Sequence, residues 1–240
     1  MDESQARSDT LAQDTPANKG QSLAQRAYEA IRKAIRSRRF RSGDRLVESE
    51  LAQMLGLSRT PIREVLRDLA SKGLVQMEPR KGVLVAQIGL EELSDMLEAE
   101  CELEALCAQI AAHRMSLLEK KQLERVHELT AIAVSKGDDA RYLELNHEFH
   151  NLISAGTHNK LIAETVGNLR GRLSGFRQAQ SKTEKRLQTS HAEHQCIVDA
   201  ILSSDAVIAF QKMRAHNARL SSKVIEQLSK SNTNKSIKTK

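Results

Sequence analysis

Apolar residues recur at helical spacing along most of this chain, and a short early stretch departs from that pattern. Leu51, Met54 and Leu55 mark a short amphipathic helix. Gly56 and Leu57 form a tight turn, and Ser58 is placed to cap a second helix with Pro61 in its first turn. Ile62, Val65, Leu66 and Leu69 give that helix an apolar face, and Gly73 stops it. Two β-prone runs follow, Leu74–Met77 and Val83–Val85, separated by the turn Glu78-Pro79-Arg80-Lys81-Gly82. Helix, turn, helix and then a hairpin tipped with two cations predict a winged helix-turn-helix over residues 21–86.

Gln87-Ile88-Gly89 reads as a linker, and from Leu90 the pattern is helical almost without interruption. Helices are predicted over Leu90–Arg114, Leu117–Ser135, Arg141–Ser154, Asn159–Gln180 (as one helix or two broken near Gly175), Ser190–Ser203 and Asp205–Leu228. The expected fold is therefore mainly α: the winged module, then an all-α bundle of six or seven helices over 90–228.

Charge separates the two parts. Residues 20–88 carry 14 Lys and Arg against 7 Asp and Glu, whereas residues 89–225 carry 17 against 19. The positive field belongs to the winged module, as binding to a phosphate backbone requires. The polar face of its second helix carries Arg59, Thr60, Arg63 and Arg67, and a helix of this kind can enter a major groove and read base edges. The hairpin tip at Arg80 and Lys81 suits a phosphate backbone or a minor groove.

Composition adds limits. With 2% aromatic residues and no Trp, the cores must be built from Leu, Ile, Ala and Val. No apolar run approaches membrane-spanning length, and a cytoplasmic protein without a membrane partner is expected. Residues 1–20 read as a disordered lead-in and residues 229–240 as a disordered basic tail. Cys101, Cys107 and Cys196 lack metal-ligand spacing and read as small core residues of a reduced protein.

Three histidines fall on apolar helix faces. His150 shares a face with Leu143, Asn146 and Ile153, His194 with Ile197, Val198 and Ile201, and His216 with Met213 and Leu220. Imidazoles so placed need partners inside the fold. Three on separate helices, with Asn146 one turn before His150, suggest a convergent polar site suited to Zn, Ni, Cu or Fe. A metal-free pocket that grips an acid directly and an ordinary set of core histidines are the other two readings. His113, His127, His147, His158 and His191 are expected at the surface or behind the site. Arg172 and Arg177, on the long central helix, are candidates to clamp a carboxylate of an effector.

The run GDRLVESELAQMLGLSRTPIREVLRDLASKGLV resembles the DNA-binding domain of the GntR family of bacterial transcription regulators. The resemblance covers roughly residues 22–86. It implies DNA contacts from Ser58, Arg59, Thr60 and Arg63, with the wing at Arg80, Lys81 and Gly82. An arginine often found in the family's preceding helix corresponds here to Ser49, which removes one contact. The words LNHEFHNLISAGTHNKLI, AEHQCIVDAILSSD and MRAHNARL are similar to the FCD ligand-binding domain of the FadR subgroup, over roughly residues 90–225. That resemblance implies metal ligands at Asn146, His150, His194 and His216. Asn stands where the family has Asp or Asn, and the amide should hold an ion more weakly than a carboxylate. A family arginine near the start of this domain corresponds to Glu100.

Together these imply a transcription regulator, with repression as the family default. A small organic acid bound in the helical domain would modulate binding of a homodimer to a palindromic operator. A metalloenzyme with a DNA-binding appendage is the competing class, but no HExxH motif or clearly placed general base is present. A nonspecific architectural DNA protein leaves the histidines unexplained.

Overall fold

The computed structural model describes residues 22–37, 39–178 and 184–237, and the chain divides into two compact units at Gly89/Leu90. The expected lead-in over residues 1–20 lies outside the described residues. Among those described are nine helices and three short strands.

In the first unit, α1 (Leu23–Arg36) buries Ala27, Ala30, Ile31 and Ala34, a single face at helical spacing. Ser22 caps it by accepting from the Gln25 amide at 3.2 Å. This helix and strand β1 (Arg45–Leu46) were not among the elements expected from the apolar pattern. Helix α2 (Glu48–Leu55) ends at Gly56, whose φ of 65° is a left-handed conformation that glycine adopts without strain. Helix α3 (Arg59–Ser71) buries Ile62, Val65, Leu66 and Leu69, as the spacing predicts. Ser58 holds the capping position, but its hydroxyl makes no capping bond, so that part of the expectation is corrected. Strands β2 (Val75–Glu78) and β3 (Gly82–Val85) form an antiparallel hairpin, and β1 pairs with β3 to give the order β1-β3-β2.

The second unit is entirely helical: α4 (Leu90–Arg114), α5 (Leu117–Lys136), α6 (Asp139–Ala155), α7 (Lys160–Gln178), α8 (Glu184–Leu202) and α9 (Ala206–Ile237). Helix α4 lies along α9. Cys101 Sγ meets the Arg214 carbonyl at 3.3 Å, and Asn217 Nδ2 donates to Glu104 at 2.7 Å. Both pairs have the same sequence offset, so the two helices run parallel. Ala105, Ala108, Ala111 and Ala112 bury the second half of α4, where small side chains permit close approach of neighbouring helices. Helix α5 opens with a capping box between Ser116 and Glu119 and closes at Gly137. Helix α7 runs unbroken past Gly175. Helix α9 runs to Ile237, so most of the stretch expected as a disordered tail over 229–240 is helical. Cys101 and Cys107 are buried as expected, but Cys196 is exposed. No helix among the described residues is long and apolar enough to cross a membrane.

Candidate metal centre and DNA-binding surface

Helices α6, α8 and α9 each bring one histidine to a single point. The ligand atoms of His150, His194 and His216 all lie within 4.8 Å of one another, and the three side chains are buried. Each is carried inward by its apolar neighbours: Phe149 and Ile153 beside His150, Ile197 and Val198 after His194, and Met213 before His216. Phe149 stacks on His194 with ring centroids 4.3 Å apart and meets the edge of His150 at 5.3 Å.

The ring nitrogens divide into two sets. His150 Nδ1 stands 3.1 Å from Glu104 Oε2, and His216 Nδ1 stands 2.6 Å from Glu193 Oε2. Each carboxylate is itself paired with an arginine, Glu104 with Arg170 and Glu193 with Arg219. At His216 the carboxylate bonded to Nδ1 sets the tautomer that leaves Nε2 as the basic atom, whereas at His150 the Glu104 carboxylate stands near Nδ1 without an aligned hydrogen bond. His150 Nε2 is buried without a hydrogen-bond partner, while Nε2 of His194 and Nε2 of His216 face each other at 3.2 Å. The His194–His216 spacing is close to the roughly 3.3 Å that metal–nitrogen bonds of about 2.0–2.1 Å at tetrahedral angles require, and with His150 within 4.8 Å the donor types suit a divalent ion such as zinc.

Electrostatics keep the His150 and His194 rings neutral and therefore able to donate a lone pair. Burial, aided by the Arg170 charge, lowers His150 to about 3 against the partial support of Glu104. Burial and the neighbouring imidazoles hold His194 well below its ordinary range.

Other residues singled out from the sequence fall differently. Asn146 is half-buried one turn before His150 on the same helix. Arg172 pairs with Glu92 at 2.5 Å, and Glu92 lies about 18 Å along α4 from Glu104 at the helical rise. The arginine brought to the histidines is Arg170, which the sequence reading passed over. Among the described side chains Arg177 is not included. His127 and His191 stack at 4.1 Å, and His127 is buried, with Nε2 2.9 Å from Gln195 Oε1 and its ring 6.3 Å from that of Phe149. His113 and His158 are exposed, and His147 is half-buried. Glu104, Arg170 and Asn217 were missed, although a Glu104 flanked by buried Cys101, Ala105 and Ala108 was a legible signal.

In the first unit, Ser58, Arg59, Thr60, Arg63 and Arg67 are all exposed on α3, opposite its buried face. The hairpin tip presents Arg80 at φ 68° and Gly82 at φ 86°, and Lys81 pairs with Glu78 at 2.8 Å. Arg45, on β1, reaches the base of this tip: its guanidinium lies 3.6 Å from where a Cβ on Gly82 would stand. The first unit thus carries both an exposed polar helix face and a cationic hairpin tip.

Comparison with known proteins finds a family domain in each of the two units. The family model for bacterial regulatory proteins of the gntR family matches residues 23–85, and that for the FCD domain matches residues 95–219. YdhC of Bacillus subtilis (strain 168), an uncharacterized HTH-type transcriptional regulator, is 26% identical over 79% of this chain and 85% of its own. RspR of Escherichia coli (strain K12), an HTH-type transcriptional repressor, is 25% identical over 88% of this chain and 92% of its own. The solved structure of E. coli McbR/YncC superposes with a TM-score of 0.77 at 20% identity, covering 87% of this chain and 99% of that one.

Proposed function

The chain belongs to the GntR family of bacterial regulatory proteins and carries the family's FCD domain, and on that premise we propose that it is a metal-dependent repressor answering to a small organic acid. It is a DNA-binding transcription regulator and not an enzyme. Repression is taken from its likeness to RspR.

The observation that carries the proposal is the convergence of His150, His194 and His216, with a carboxylate behind two of the three rings. His150, His194 and His216 would hold a divalent ion such as Zn or Ni through Nε2, with Asn146 as a weaker fourth ligand. A bound ion supplies a Lewis-acidic position for a carboxylate of the effector. Glu193 fixes the orientation of the His216 ring, and the buried Phe149 ring keeps water from one side of His194. In the first unit, Arg59, Thr60 and Arg63 read base edges, with Ser58 beside them, while Arg80, Lys81 and Gly82 approach the backbone. One such helix reads few bases, so the working form is a homodimer on a palindromic operator.

Metal analysis of untagged protein tests the centre, and a thermal-shift screen of organic acids with and without chelator tests the effector. Metal-free protein that still responds to an acid would replace the metal by direct recognition between histidines and acid.

A further inference from the structure

Glu48, the first residue of α2, grips Arg63 of α3 along one edge of the guanidinium. Arg63 Nε donates to Glu48 Oε1 and Oε2 at 3.1 and 3.2 Å, and Nη2 donates to Oε2 at 2.8 Å. The Arg63 side chain is 54% exposed and the Glu48 side chain 28%. The pair therefore sits at the surface that α3 presents to DNA, where an isolated ion pair contributes little to folding stability.

Its geometry is more informative than its energy. A guanidinium has five N–H groups in a fixed plane, and Glu48 takes those of the Nε/Nη2 edge. The outer edge, with both hydrogens of Nη1 and one of Nη2, stays free and forms the two-pronged donor that matches O6 and N7 of guanine. An unrestrained arginine loses much rotamer entropy on docking, whereas one already held by a neighbour loses less. The Arg63 hydrogen bond holds Glu48 below the usual carboxylate range, and the charges of Arg59 and Arg67 add to this, so the buttress stays ionised at neutral pH.

We propose that Glu48 is a specificity-determining positioning residue, which fixes Arg63 so that its outer edge reads one guanine in each half of the operator. This inference rests on the reading of α3 as the base-contacting helix.

The test uses the full-length protein and a duplex selected by the wild type from a random pool, with an unselected duplex as reference. Glu48→Ala is expected to weaken binding to the selected duplex by roughly tenfold, within the range of a bidentate arginine–guanine contact. Binding to the reference duplex should hold steady or tighten, because a negative charge has been removed. Glu48→Gln, which keeps an acceptor without the charge, should fall between. In an Arg63→Ala background Glu48→Ala should no longer weaken binding to the selected duplex. Unchanged far-UV circular dichroism and thermal midpoint would show that each variant folds.

Equal tightening on both duplexes would make Glu48 a simple electrostatic brake and overturn the proposal, as would full additivity with Arg63→Ala. If Arg63→Ala lowers the selected-to-reference ratio while Glu48→Ala does not, the positioning role alone fails. If Arg63→Ala leaves that ratio unchanged, base reading by Arg63 fails, and the buttress with it.

Discussion

Nε2 of His194 and Nε2 of His216 stand 3.2 Å apart, with both rings about 1% exposed. Two imidazoles at this distance share one proton between them, and a second proton would put like charges in contact inside the core. The contact therefore does not survive protonation of both rings. An ion between the rings uses both lone pairs; acid disrupts both arrangements.

Metal-free protein should accordingly lose stability in mild acid. His150 is lowered to about 3 and His194 well below 6.5, whereas both titrate near 6.5 once unfolded. Below pH 6.5 the unfolded chain binds protons that the fold refuses, so unfolding becomes easier as pH falls. The full stability is present above about pH 6.5, and the His150 share is lost progressively down to about pH 3. Urea midpoints at pH 7.5 and pH 5.0 measure this, and identical midpoints would show that the rings take up protons freely.

His194→Ala and His216→Ala are each expected to abolish binding of about one ion per chain and to remove the effector response. DNA binding through residues 22–86 should persist in both variants. Asn146→Asp should tighten the ion, because a carboxylate adds charge where an amide offers a dipole. Titration with zinc against a chromophoric chelator distinguishes these cases. An unchanged zinc affinity in Asn146→Asp would remove Asn146 from the ligand set.

Glu104→Ala should destabilise the helical unit strongly. It removes the partner of Arg170, whose side chain is 7% exposed, and the carboxylate that receives Asn217. Leaving a buried charge unpaired costs about 3–5 kcal/mol. Replacing Glu104 and Arg170 together by apolar residues of similar volume should cost less than Glu104→Ala alone. Urea denaturation provides the comparison; a single variant as stable as the wild type would mean that the Arg170 charge finds solvent.

Arg59→Ala should weaken operator binding by ~1–3 kcal/mol and relax the sequence preference, as expected for a contact to a base edge. Lys81→Ala should weaken all duplexes alike and flatten the dependence on salt, as expected for a phosphate contact. Binding curves at several salt concentrations separate the two. An unchanged operator-to-random ratio in Arg59→Ala would exclude base reading by that side chain.

Local patterns carried much of this molecule. Ile62, Val65, Leu66 and Leu69 lie at the spacing of one helical face, and a run that short needs no distant partner to be recognised. Gly56 marks the end of α2 through its own backbone conformation. The three histidines were legible because each interrupts an apolar face, where a polar group needs a partner. Helix α1 and strand β1 escaped notice. Helix α1 precedes the motif run, and a two-residue strand has too little alternation to show a period.

What the sequence determined by itself was the order of most elements, the two-part charge and the three histidines on apolar faces, because periodicity, charge and residue chemistry are local properties. The tertiary structure decided which side chains stand behind those donors. Glu104 lies 46 positions before His150 and 66 before Arg170 in the chain, yet one carboxylate meets both. Arg172, two residues beyond Arg170, turns instead to Glu92. Helical rotation of about 100° per residue separates the two arginines by more than half a turn, and only the packing of α4 against α7 and α9 determines which of them faces the histidines.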